Sequence, residues 1–217
     1  MFCFFQVNDI SPLRKCRDRL KSLSLYGCKL PASSSEAVVG VLCDLRELVH
    51  LDLSDDKEDN PHAAYPADKF KISALLQKTS SLPKLHSLDI SGKDEIHITE
   101  LSSFLGCHDQ LSFLGLVLTE VCKAVRFTDV NAEEFREELA VSGWGTEAQI
   151  MESLNRYLSR PQYMQKTLYY LFRYPTTKKK FNKSDNLNPY VTILNLPSFP
   201  LCRNGSGVRV EIDILNN

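Results

Sequence analysis

Leucines recur along this chain at intervals of three and then two, and the spacing repeats four times. Leu20, Leu23, Leu25, Cys28 and Leu30 give the full form, L-x-x-L-x-L-x-x-C-x-L. Leu48, Leu51 and Leu53 open a second copy, Leu85, Leu88 and Ile90 a third, and Leu111, Leu114, Leu116, Thr119 and Val121 make a fourth. Their starts lie 28, 37 and 26 residues apart, close to the leucine-rich-repeat period of roughly 20–29 residues, with one insertion. An interval of two puts alternate side chains on one face of a strand. Each copy therefore predicts a short strand with its leucines turned inward. One copy cannot bury that face alone, whereas stacked neighbours bury it together.

The stretches between copies switch to helical spacing. Ser33-Ser34-Ser35-Glu36 offers N-caps ahead of Ala37, Val38, Val41, Leu42 and Leu45, which predicts a helix on the convex side. Asp55 to Pro66 reads as a surface loop, after which Phe70, Leu75 and Leu76 lie on a core-facing helix. Thr99 is the expected N-cap before Leu101, Phe104 and Leu105. Ahead of the repeats, Ile10, Leu13 and Leu20 with Arg14, Lys15, Arg17 and Arg19 suggest an amphipathic lead-in helix.

Beyond the fourth copy the period breaks. Asn131-Ala132-Glu133-Glu134 predicts a helix start, with Phe135 and Leu139 buried, ending at a Gly143-Trp144-Gly145 turn with a packed tryptophan. Thr146-Glu147-Ala148-Gln149 is a capping box opening a helix through Ile150, Leu154, Tyr157 and Leu158. Pro161 suits the first position of the next helix, which carries Met164, Leu168, Leu171 and Phe172. A tight Ser159-Arg160 turn joins the two as a helix hairpin, the building block of an α-solenoid. From Pro175 the chain turns polar, with Lys178-Lys179-Lys180, and 191–214 then alternates as a strand would, notably at Val208, Val210, Ile212 and Ile214. The expected fold class is an α/β repeat: a leucine-rich-repeat solenoid followed by the start of an armadillo-like α-solenoid. Its segments are a lead-in (1–19), the repeats (20–125), a linker (126–145), the helix hairpin (146–174) and a divergent, partly disordered tail (175–217).

A net charge of −1 supplies no field for nucleic acid or an acidic membrane surface. The seven cysteines are never closer than 12 residues, so no C-x-x-C supports a zinc or redox site, and a reducing compartment is the simplest account. Cys28 sits where such repeats place Asn or Cys inside the turn. Met1–Val7 is too short and lacks the basic flank of a signal peptide, and no stretch approaches 18 apolar residues. The N-x-S sequons at Asn182 and Asn204 are then read as chance, and cytosol or nucleus is expected.

Catalytic motifs do not emerge: there is no G-x-S-x-G, H-E-x-x-H or P-loop. Cys107-His108 lacks a third group and reads as a turn pair. The acidic run Asp52, Asp55, Asp56, Glu58 and Asp59 lacks calcium-loop spacing. No cofactor and no metal are expected. The sharper candidates form a column on the concave face, the residues between the last two leucines of each copy: Ser24, Asp52, Asp89 and Gly115. Asp52 and Asp89 would stand on adjacent strands, about 4.8 Å apart. Like charges so placed are unfavourable unless a cation or donor lies between them. They would receive an Arg, a Lys or an amino terminus from a partner, or bond locally to Ser54 and Ser91.

Cys16 to Leu23, Leu51 to Lys57 (L-D-L-S-D-D-K) and Leu88 to Gly92 (L-D-I-S-G) resemble the leucine-rich region of the Zyg-eleven and Zer-one proteins. Val141-Ser142-Gly143, Tyr157 and Leu168 to Phe172 resemble the entry to that family's armadillo-like repeats, so the likeness runs over roughly 12–174. The resemblance implies a non-catalytic substrate receptor of a cullin-2 RING ubiquitin ligase, which captures protein substrates with an N-terminal glycine. Its implied partners are elongin C and cullin 2, with no nucleic acid and no membrane. The family's recruiting box has no counterpart at Met1–Val7, and 175–217 departs from the family, so a truncated product is expected. A generic leucine-rich scaffold or inhibitor unrelated to ubiquitin is the alternative.

Overall fold

Five strands of three residues each form one parallel sheet in chain order: β1 (Ser22–Ser24), β2 (His50–Asp52), β3 (Ser87–Asp89), β4 (Phe113–Gly115) and β5 (Ala140–Ser142). The structure is a computed structural model and describes residues 9–28, 30, 32–55 and 70–173. Sequential parallel order demands that the chain return behind the sheet after every strand. The returns carry α1 (Ser35–Asp44), α2 (Ser73–Leu76), α3 (Ile98–Gly106) and α4 (Val125–Thr128). The strands register leucine on leucine: Leu23, Leu51, Leu88, Leu114 and then Val141.

The core lies on that side. Leu51, Leu53, Leu88, Ile90, Leu114 and Leu116 from the sheet meet Val39, Leu42, Leu75, Leu76, Leu101 and Phe104 from the returns, all essentially inaccessible. Hydrogen bonding continues past the strands into the turns, as Gly27 N–H donates to Ser54 O, Asp55 N–H to Ser91 O and Gly92 N–H to Val117 O. Each of these turns bends through a left-handed residue where the structure gives one: Gly27 (φ 66°), Gly92 (φ 73°) and Leu118 (φ 63°). Gly92 is also forced by space, since a Cβ there would lie 1.8 Å from Asp55 O. Cys28 and Thr119 close their turns with N–H bonds to Leu25 O and Leu116 O.

The chain departs from its predicted elements at several points. The lead-in is a 3-10 turn, Ser11–Cys16, anchored by buried Ile10 and tied to α1 by Arg14 Nε donating to Asp44 Oδ2 at 2.7 Å. Phe70 is buried but precedes α2. Thr99 lies inside α3, because the backbone is still extended at His97 and turns helical at Ile98. Residues 129–139 form turns and no helix. Asp129 folds back on Asn131 N–H, and the Arg136 guanidinium donates to the carbonyls of His108, Asp109 and Leu111 beyond the end of α3. Those bonds give Arg136 a capping task that an intervening helix would not allow; Leu139 is buried and Phe135 half-buried. The segment expected as a linker also supplies β5, a fifth rung. The 56–69 part of the expected loop, Met1–Val7 and everything from 174 onward lie outside the described residues.

Two further helices follow, α5 (Glu147–Arg156) and α6 (Pro161–Arg173). Thr146 Oγ1 accepts the Gln149 N–H, the first half of the expected capping box. The second half is diverted. Gln149 instead accepts from Gly145 N–H and donates to Cys122 O and Phe127 O, which fastens α5 to the repeats. Trp144 stacks on Tyr170 at 4.2 Å with Lys123 Nζ 3.4 Å above its ring. Leu158, expected on the buried face, is exposed.

Candidate functional site

Strand parity sends the first and third residues of each rung away from the leucine core, and the third residues line up as Ser24, Asp52, Asp89, Gly115 and Ser142. The four residues singled out from sequence thus stand in one row, and β5 extends it by one. Each carboxylate uses one oxygen locally. Ser54 donates to Asp52 Oδ1 through its N–H and its hydroxyl, and Ser91 N–H donates to Asp89 Oδ1 at 3.0 Å. Ser24 Oγ adds a bond to Asp52 Oδ2 at 3.1 Å.

The remaining oxygens face a cation from the same chain. Arg160, in the turn between α5 and α6, reaches Asp52 Oδ2 through Nη2 at 2.5 Å and Asp89 Oδ2 through Nη1 at 3.3 Å, with Nη1 also donating to Ser54 Oγ at 2.8 Å. The cation required between the two aspartates is therefore supplied internally, 108 and 71 residues away in sequence. Its guanidinium lies 3.9 Å from the Tyr26 ring, 5.1 Å from Tyr157 and 5.6 Å from Tyr163, a cage of three aromatic faces. Arg and ring attract through charge and quadrupole, and the rings also exclude water from the ion pairs.

Both flanking helices contribute. Tyr157, at the end of α5, donates its hydroxyl to Asp89 Oδ2 at 2.8 Å and lies within hydrogen-bonding distance of Ser91 and Ser142. Tyr163 of α6 donates to Asp55 O at 3.0 Å and packs edge-on against Tyr157. Gly115 makes room for this: a Cβ there would fall 2.1 Å from Asp89 Oδ1 and 2.8 Å from the Tyr157 hydroxyl. The sequence reading missed Arg160, Tyr26, Tyr157 and Tyr163 as members of this cluster. One signal was present: a cation in a two-residue turn, with two carboxylates elsewhere in need of one.

Burial is the leading electrostatic influence. It pushes the Asp89 carboxyl above its ordinary value, helped by the Asp52 charge and opposed by Ser91 and Tyr157. Burial works against the Arg160 charge, yet Asp52 and Asp89 outweigh it and hold the guanidinium protonated. The Tyr157 and Tyr163 phenols rise for the same two reasons, burial and the Asp89 charge. The cluster is thus a satisfied ion network with protonated phenols, suited to fixing the hairpin on the sheet. Among the described residues no group of three His, Cys, Asp or Glu is placed to hold a metal ion. His108 of the Cys107-His108 pair is buried, with both ring nitrogens 2.7 Å from backbone carbonyls of Phe104 and Ser81.

Part of the sheet face stays open. A groove of about 320 Å³ runs over Ser22, His50, Ser87 and Phe113 and is walled by Arg156, whose guanidinium lies 3.5 Å over the Phe113 ring. No helix among the described residues is long and apolar enough to cross a membrane. Residues 3–97 match the family model of Zer-1-like leucine-rich repeats. The match takes in the rungs that carry Ser24, Asp52 and Asp89, and Arg160 lies beyond it. The repeats that hold the two aspartates are thus similar to the Zer-1-like leucine-rich repeats over the matched stretch.

Proposed function

We propose that this chain is a non-catalytic substrate-recognition subunit, or a fragment of one, of a cullin-2 RING ubiquitin ligase of the kind that targets N-terminal glycine degrons. The Zer-1-like repeats support a receptor of this family. The observation that bears most on its working is the insertion of Arg160 between Asp52 and Asp89. An internal cation in that row takes the place that a substrate's amino terminus would need there. The repeats then act as a stiff platform, and α5 with α6 is the first hairpin of an armadillo-like array whose position is set by the platform. Substrate capture belongs to that array, and Ser24, Asp52, Asp89 and Gly115 are residues of the joint.

Affinity purification of the intact chain from cytosol, scored for elongin C and cullin 2, tests the proposal. Recovery of both supports a working receptor. Their absence from a folded preparation refutes ligase recruitment by this chain. The open groove over Ser22, His50 and Ser87 favours a second reading, a leucine-rich scaffold or inhibitor that binds a partner through that groove without ubiquitin machinery. Under that reading His50→Asp abolishes partner binding in the same purification; under the first it does not.

A further inference from the structure

The outer edge of β5 pairs with no further strand among the described residues, and it opens onto a groove. Hydrogen bonds alternate along a parallel strand, each residue directing both its N–H and its C=O to one side. Ala140 N–H donates to Ser112 O and Ser142 O accepts from Leu116 N–H, so Ala140 and Ser142 face β4. Leu139 C=O and both polar groups of Val141 therefore face the other way, and among the described residues none has a partner. Past them the edge closes, because Ser153 Oγ takes the Gly143 N–H at 2.8 Å.

The groove beside this edge has a volume of about 480 Å³ and is walled by α5 on one side and by 126–137 on the other. Phe127, Val130 and Phe135 give it an apolar lining. Arg126 lines it as well. That side chain is 9% exposed, its Nη1 bonds Glu134 Oε2 at 3.0 Å, and its Nε–H has no partner among the described residues. The other cation of the groove, Arg136, is bound to backbone carbonyls. Three carboxylates line the groove: Glu134 is paired with Arg126 and Glu152 with Arg156, while Glu137 is exposed. The lining thus sets three carboxylates against two guanidinium groups, and Glu137 is the carboxylate left to meet a ligand's cation.

The geometry points to a peptide-docking site here: an extended, basic segment of a partner protein adds to β5 as a sixth strand. Its backbone donates to Leu139 O and Val141 O and accepts from Val141 N–H, its apolar side chains enter between Phe127 and Phe135, and a Lys or Arg meets Glu137. Strand addition of this kind draws affinity from main-chain bonds and specificity from alternate side-chain pockets. The inference is independent of the ligase reading, because it rests on an edge and a groove outside the Arg160 cluster.

The test uses the full chain and two labelled hexapeptides, (Lys-Val)3 and (Glu-Val)3, with fluorescence anisotropy for binding and amide hydrogen exchange for location. The expected result is saturable binding of (Lys-Val)3 only, with slowed exchange at Val141. Glu137→Lys should weaken it about fivefold, as an exposed charge pair turned into a repulsion does. N-methylation of alternate amides in the peptide removes its donors without touching the protein, and should abolish binding. Equal binding of both peptides, insensitivity to N-methylation, or no binding overturns the inference. So does Val141 protection that grows with protein concentration and without peptide, which would assign the edge to a second copy of the chain.

Discussion

Replacing Arg160 by Ala isolates what the internal cation contributes. The substitution leaves Asp89, 5% exposed, and Asp52, with a side chain 18% exposed, facing each other across adjacent strands with no positive charge between them. Removing one partner of a buried ion pair costs about 3–5 kcal/mol. Arg160 and Asp52 each keep 18% of their side-chain surface in water, which draws the value to the lower end. Loss of the contact to the Tyr26 face adds about 0.5–1 kcal/mol at a partly exposed site. Partial protonation of Asp89, which burial already favours, returns some of that. The expected net loss is about 3 kcal/mol. Urea unfolding at pH 7 followed by far-ultraviolet circular dichroism measures it. A partial rescue is expected too: Asp89→Asn in the Arg160→Ala background should recover about half, because it removes the stranded charge. Its amide oxygen keeps the Ser91 N–H, and the Tyr157 hydroxyl accepts from the amide while turning its own proton to Ser142. A loss below about 0.5 kcal/mol, the range of ordinary surface substitutions, would refute the reasoning. So would an Asp89→Asn change that lowers stability further in that background.

Gly115→Ala pushes a methyl into Asp89 and Tyr157 and should cost about 1–3 kcal/mol by overpacking, read in the same unfolding experiment. Gln149→Ala removes the bonds its side chain makes to Gly145 N–H and to the Cys122 and Phe127 carbonyls, so a loss of about 2–3 kcal/mol is expected, together with earlier proteolytic cleavage at 143–146. Tyr157 and Tyr163 hold their protons above the ordinary tyrosine value of 10.0. Unfolded tyrosines ionise near 10, so this contribution to stability is complete below pH 10 and is lost as pH rises through the folded values. Ultraviolet difference spectra near 295 nm should show these two phenols ionising only together with unfolding, and a Tyr157→Phe, Tyr163→Phe chain should lose that step.

The repeats were legible because their signal is local: three apolar positions at fixed spacing dictate a strand and the face it buries. Parity alone then placed Ser24, Asp52, Asp89 and Gly115 in one row. β5 escaped because Ala140-Val141-Ser142 carries a single inward residue, and Phe135 and Leu139 lie four apart, a helical interval that nothing nearby contradicts. Only the carbonyls around the end of α3, which need the Arg136 guanidinium, decide against that helix. Tyr157 and Tyr163 occupy apolar positions of their helices, so periodicity cannot tell that their hydroxyls answer polar groups on another element. Arg160 belongs to no periodic pattern, and its one signal, a cation in a short turn, names no partner. A lone turn residue acquires meaning only when the third dimension brings it to the aspartates.

The distance between Arg160 and Asp52 along the chain has a kinetic consequence. Every strand-to-strand pairing here closes a loop of one repeat, whereas this contact spans 108 residues, and the entropy of closing so long a loop falls only after the intervening rungs are in place. A register slip of one residue would turn a leucine outward where an aspartate should stand, and the guanidinium would then find no carboxylate. The turn between α5 and α6 is thus a latch that engages only on a correctly stacked sheet. Late closure of this latch is the expected order, so Arg160→Ala should speed unfolding and leave the folding rate unchanged, which a chevron plot measures.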